Sequence, residues 1–217
     1  MRVLVGCEFS GIVRDAFIAE GHDAMSCDLL PTATPGPHYE GNVLDIIEDD
    51  WDLAIFHPPC TYLTCAAEWC YKDNPGKAMS PGVLFGEDRR KAREEAIEFV
   101  RLLLNAPVTR LAVENPVGVL SSRIRRPDQI IQPYDFGEDA SKKTCLWLKN
   151  LPLLQPTKRI QGRIVNGKER WANQTDSGQN KLGPSPDRWA ERSLTYPGIA
   201  SAMAKQWGSS GQLQHTT

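Results

Sequence analysis

Leu53-Ala54-Ile55-Phe56-His57-Pro58-Pro59-Cys60-Thr61-Tyr62-Leu63-Thr64 joins an apolar run of strand length to two prolines and a cysteine. Proline has no amide hydrogen to give a sheet ladder, so the backbone must leave the sheet at Pro58 and present the next residues at its carboxyl edge. The first of them after the prolines is Cys60, and a free cysteine is most often just a small buried apolar group. Leu111-Ala112-Val113-Glu114-Asn115-Pro116 repeats the arrangement, with a carboxylate and an amide before the proline. Strands that alternate with helices predict an α/β fold with a parallel sheet. Cys60 and Glu114 would then share the edge where open α/β sheets bind ligands.

The stretches around these two show the same alternation. Arg2 to Cys7 reads as a buried strand, Glu8-Phe9-Ser10-Gly11 as a tight loop, and Ile12, Val13, Ala16 and Phe17 as the apolar face of a helix that Gly21 ends. Ala24 to Asp28 is a second strand. An acid at that position commonly takes the ribose hydroxyls of a bound nucleoside, so Asp28 reads either as a ribose ligand or as the polar residue opening the loop from Pro31 to Pro37. Gly41-Asn42-Val43-Leu44-Asp45 is a weak third unit. Residues 61 to 86 lack periodicity and read as a long active-site loop. Asp88 to Leu104 is a helix with Ala92, Ala96, Phe99, Val100 and Leu103 on one face, and its Asp88-Arg89-Arg90-Lys91 run reads as solvated. Thr144 to Leu148 is a short strand after Lys142-Lys143. Asn166-Gly167, between Arg163-Ile164-Val165 and Lys168-Glu169-Arg170, is a two-residue hairpin signal. Residues 172 to 190 form a polar connection, Ile199 to Trp207 a closing helix, and the chain from Gly208 a disordered tail.

The 217 residues suffice for one substantial domain, and 41% hydrophobic with 24% charged residues is ordinary for a globular protein. A net charge of -2 advertises no overall positive field, so a nucleic-acid partner would have to meet a local basic face. The N-terminal apolar run is too short for a signal peptide and no later run is long enough for a bilayer, which predicts a cytoplasmic protein without a membrane partner. Six scattered cysteines then read as free thiols.

Pro58-Pro59-Cys60, Glu114-Asn115-Pro116 and Thr195-Tyr196-Pro197-Gly198-Ile199, in this order and spacing, resemble motifs of the cytosine-C5 DNA methyltransferases, in particular the short bacteriophage members. The resemblance runs from Met1 to about Trp207. It implies a Rossmann-like S-adenosylmethionine-dependent methyltransferase sheet with helices on both faces, at work in the host cytoplasm if a phage encodes it. It implies Cys60 and Glu114 as catalytic residues and S-adenosyl-L-methionine as methyl donor, held by Cys7, Glu8, Phe9, Ser10, Gly11, Asp28, Asn42, Asp45, His57 and Pro58. Thr64, Asn115, Lys142 and Lys143 fall on the substrate side, and no metal is called for. Residues 1–148 would be the catalytic core, 149–195 a reduced recognition segment carrying the hairpin, 196–207 the returning helix and 208–217 the tail.

The sequence departs from the family in four places. Only Gly11 matches the glycine-rich first loop, Asn42 stands where an aspartate is usual with Asp45 three residues on, and Lys142 and Thr144 replace paired arginines. The stretch from Leu148 to Thr195 is also shorter than an independent domain.

The implied chemistry explains the pair. Carbon 5 of cytosine is a poor nucleophile until a thiolate adds to carbon 6, and a carboxyl group at ring nitrogen 3 stabilises the charge that accumulates. Duplex DNA would need its base flipped out, helped by phosphate contacts from among Arg123, Arg125, Arg126, Lys142, Lys143, Lys158, Arg159, Arg163, Lys168 and Arg170. A rival reading of the short recognition segment is C5 methylation of a free pyrimidine nucleotide, such as a cytosine nucleotide. Other readings are an amino-methyltransferase, which usually has an aromatic after the prolines, a non-catalytic DNA-binding relative, and a metal module built on His57, Cys60, Cys65 and Cys70.

Overall fold

In chain order the elements are β1 (Arg2–Gly6), α1 (Ile12–Ala19), β2 (Asp23–Asp28), β3 (His38–Glu40), β4 (Leu53–Phe56), α2 (Gly86–Leu104), β5 (Arg110–Pro116), α3 (Leu120–Arg123), β6 (Gln129–Ile131), β7 (Thr144–Lys149), β8 (Arg163–Val165), β9 (Lys168–Arg170), α4 (Arg188–Ser193) and α5 (Pro197–Gly208). The computed structural model describes residues 1–65, 67–73, 82–183, 185 and 188–209. Part of the long loop, part of the polar connection and nearly all of the expected tail thus lie outside the described residues.

Seven strands form one sheet in the order β3-β2-β1-β4-β5-β7-β6. The two-residue strand period divides the core between its faces. Val3, Val5, Leu53 and Ile55 pack with Val13 and Phe17 of α1 and with Ile199, Met203 and Trp207 of α5. Leu4, Ala54 and Phe56 point the other way, onto Ile97, Val100 and Leu103 of α2. Helices therefore cover both faces, and the fold is the Rossmann-like α/β class. No helix among the described residues is long and apolar enough to cross a membrane.

Four expectations need correction. The sheet is not wholly parallel, because β7 runs antiparallel to both β5 and β6. No crossover helix separates β6 from β7, and only antiparallel neighbours can do without one. The third strand lies earlier than expected, at His38–Glu40, and Val43–Asp45 is a single 3-10 turn whose Leu44 amide donates to Asn42 Oδ1 at 3.0 Å. The Asp88 to Lys91 run is not wholly solvated. Arg89 is buried against the rings of Tyr62 and Tyr71, 5.3 and 4.9 Å from their centroids. Arg93 lies 3.4 Å over Tyr71, donates to the Tyr62 carbonyl and pairs with Glu68 at 2.6 Å, so the described part of the 61–86 loop is pinned to α2. Finally, the polar connection ends in α4, which the sequence does not announce. The hairpin forms as expected, with Asn166 at φ 49° and Gly167 at φ 72°, the two positive values that its turn demands.

Candidate active site

β4 leaves the sheet as its prolines require. The His57 amide still donates to the Gly6 carbonyl at 2.9 Å, Pro58 is buried, and Pro59 and Cys60 are exposed. The Cys60 carbonyl accepts from the Leu63 and Thr64 amides at 3.0 and 3.2 Å, so the cysteine opens a tight turn at the carboxyl edge. The exit of β5 is tied to the same turn. Buried Asn115 donates through Nδ2 to the Pro58 carbonyl at 2.8 Å, Thr64 bridges Gly118, and the Val119 amide donates to the Leu63 carbonyl at 2.8 Å. Gly118 is required here, because a Cβ would overlap the Leu63 carbonyl oxygen. Asn115 and Thr64, expected on the substrate side, thus form part of the joint between the two strand ends.

Glu114 points from the neighbouring strand and is buried, and its Oε2 accepts from His57 Nδ1 at 2.8 Å. Burial works to raise the Glu114 carboxyl, but the hydrogen bond and charge of His57 and the charge of Lys142 hold it below the ordinary value. Burial disfavours the His57 imidazolium. Glu114, with Glu8 behind it, outweighs that effect and the opposing Lys142, and raises the imidazole. Crowding by the protein raises the Cys60 thiol, the charges of Lys142 and Arg192 pull it down, and that of Glu114 adds to the rise.

Lys142 therefore acts on all three groups. Its Nζ donates to the Arg192 and Leu194 carbonyls at 2.9 and 3.3 Å, which ties the end of α4 to the site. At the other end of α4 the Trp189 ring lies 5.8 Å from that of Phe9. Arg192 of α4, whose charge acts on the Cys60 thiol, is not singled out by the sequence, since nothing local marks which distant cation will face that edge. Lys143 is exposed.

In the loop after β1, Cys7 adopts a left-handed φ of 60° and burial pushes its thiol up, as it pushes Cys27 up to about 12. Glu8 and Ser10 turn inward. Glu8 accepts from the amides of Val13 and Arg14 at 2.7 and 3.3 Å and from Ser10 Oγ at 3.1 Å, and so caps α1. Gly11 holds the left-handed φ of 76° that precedes the helix. The side chains of Glu8 and Ser10, expected at the cofactor, are thus engaged in the helix cap. Arg14, wholly buried and also missed, donates to Ser26, Thr32 and Thr34 and fixes the loop after β2.

A cleft of about 180 Å³ opens beyond β1 and β2, lined by Cys7, Asp28, Leu29 and Asn42 with Pro59 and Phe99. Burial raises the Asp28 carboxyl, and Asp28 Oδ1 accepts from the Leu30 amide at 3.0 Å. Cys7, Asp28 and Asn42 are therefore brought together, whereas Asp45 sits outside the cleft and accepts from the Tyr39 hydroxyl at 3.4 Å. An acid and an amide beside the apolar Leu29, Val43 and Phe99 form a donor set that fits a nucleoside.

The basic residues are partly neutralised. Arg123 pairs with Glu94, Arg125 with Asp128, Arg159 with Asp135 and Glu169, and Arg163 with Asp176. Among the described residues no group of three His, Cys, Asp or Glu side chains could hold a metal ion, and Cys70 is buried while Cys60 and Cys65 are exposed. The described residues therefore do not bring His57, Cys60, Cys65 and Cys70 together as one donor group.

No family model matches the chain. No curated protein matches it by sequence. Among solved structures, one whose description proposes a DNA modification methyltransferase encoded within an E. coli prophage is similar, with a TM-score of 0.47 and 15% identity over 74% of this chain and 52% of that one. The chain spans about half the length of that protein.

Proposed function

We propose that this protein transfers a methyl group from S-adenosyl-L-methionine to carbon 5 of cytosine in DNA. The observation that carries the reading is the joint at the carboxyl edge, which presents an exposed Cys60 beside a buried Glu114 from the adjacent strand. The Cys60 sulfur adds to ring carbon 6, Glu114 supports the ring at nitrogen 3, and carbon 5 becomes nucleophilic and takes the methyl group as its bond to the donor's sulfonium breaks. Loss of the carbon-5 proton to solvent then expels the Cys60 thiolate and restores the ring. Burial leaves the Cys60 thiol above its ordinary value, and the charges of Lys142 and Arg192 offset part of that rise toward the thiolate that this step needs. The methyl donor would supply the electrophilic methyl group from the cleft, with Asp28 at its ribose and Cys7, Leu29 and Asn42 around it. Residues 149–195, carrying the β8–β9 hairpin, would be the substrate-recognition part.

The test is a single-stranded or duplex oligonucleotide containing 5-fluorocytosine, incubated with the protein and the methyl donor. The fluorine cannot leave as a proton, so the adduct persists, and peptide mapping is expected to place it on Cys60. An adduct on Cys65 or Cys70 would refute the site, and no adduct would refute the mechanism. The ion pairs that neutralise four of the arginines favour one second reading, a free cytosine nucleotide as substrate. The same trap with 5-fluorodeoxycytidine monophosphate separates the two.

A further inference from the structure

His57 stands three residues before Cys60, and its side chain is nine-tenths buried with Nδ1 on Glu114 and Nε2 without a partner among the described residues. We propose that His57 is a positioning residue for Glu114: the hydrogen-bonded pair keeps one exchangeable proton and lets Glu114 meet the pyrimidine ring as an acid. This rests on the methyl-transfer reading, which needs a proton at ring nitrogen 3 from a carboxyl group that its surroundings hold ionised.

The pair can carry that proton in two arrangements, and the Nδ1–H to Oε2 bond persists in both. In one, the proton sits on Nε2 and the pair is an imidazolium with a carboxylate. In the other, it sits on Oε1 and the pair is a neutral imidazole with a carboxylic acid. Opposite charges favour the first. A buried N–H without an acceptor disfavours it, because the donor bears its full desolvation penalty in the interior, and Nε2 is such an atom. The two effects oppose each other, so the acid form stays within reach. When Cys60 sulfur bonds to carbon 6, the displaced π electron pair is neutralised at nitrogen 3 by the Oε1 proton. The pair is left as neutral His57 donating to ionised Glu114, one proton poorer. The charged groups around His57 are Glu114 of β5, Glu8 of the first loop and Lys142 before β7. The two acids hold its proton and the lysine opposes them.

Two measurements test this. A nuclear magnetic resonance titration of the His57 imidazole in the whole protein should place its pKa above the ordinary value of about 6.5, and Glu114→Gln should lower it by about one unit or more. A value at or below the ordinary one that Glu114→Gln leaves unmoved would overturn the proposal. His57→Asn keeps a donor where Nδ1 lies but cannot hold the proton. Its rate of adduct formation should fall about tenfold near pH 8 and recover to within about threefold near pH 6, as the alkaline limb moves down by about one unit. A loss equal at every pH, or an unchanged profile, would overturn the proposal. A Glu114-dependent titration in a native protein that forms no adduct would leave the pair standing and refute methyl transfer.

Discussion

The joint between β4 and β5 and the segment after β7 are held by different forces. At the joint, main-chain bridges and the buried Asn115 amide fix two strand ends against one another with little room for adjustment. From residue 150 to residue 183 the chain is anchored inward by Leu154 and Trp171 and is otherwise held largely at the surface. Tyr134 stacks on Trp171 with centroids 4.1 Å apart, Arg159 covers the stack at 4.2 Å from Tyr134, and exposed ion pairs hold the hairpin. The first region suits chemistry, which tolerates little displacement. The second is polar and exposed, and under the proposed function it would serve recognition, where a surface can adapt to its partner.

Four substitutions would break or sharpen that contrast. Cys60→Ser should reduce methyl transfer on the order of 10³-fold or more, with an unchanged melting temperature, because the residue is exposed and contributes only its sulfur. Gly118→Val should destabilise by about 1–3 kcal/mol in urea unfolding, since a side chain must displace the Leu63 carbonyl. Asn115→Leu should cost about 1–3 kcal/mol and lower activity further than stability, by leaving the Pro58 carbonyl unpaired and freeing the nucleophile turn. Arg159→Ala should cost only about 0.5–1 kcal/mol, and its effect should appear in substrate affinity at varied salt if the segment binds DNA. Equal stability losses at Gly118 and Arg159 would erase the distinction.

The same contrast governs what the sequence discloses. Apolar runs cut by proline reveal β4 and β5, and Asn166-Gly167 reveals the hairpin, because these rest on local rules of φ and amide donation. The direction of β7 and the existence of β6, three residues long, depend on which strand each meets, which no local pattern encodes. Arg89 and Arg14 look like surface charges until aromatic rings and hydroxyls from distant segments enclose them. Glu8 reads as a ligand for a bound molecule, and only the geometry of α1 turns it into a cap. Within the candidate site, the placement of Cys60 and Glu114 at the ends of neighbouring strands is legible from motif and spacing. The His57 bond to Glu114 and the approach of Arg192 arise from tertiary placement alone.

Because Thr64 bridges Gly118, the turn that begins at Cys60 and the loop beyond Asn115 share main-chain atoms as their common fastening. Thermal drift of either strand end must carry the other with it, like the two blades of a jaw on one rivet. The spacing of the two strand ends that carry Cys60 and Glu114 is then set by main-chain hydrogen bonds, insulated from sequence drift at the rim. Under the proposed methyl transfer, such a chain could exchange its outer surface for a new target while that spacing stays constant.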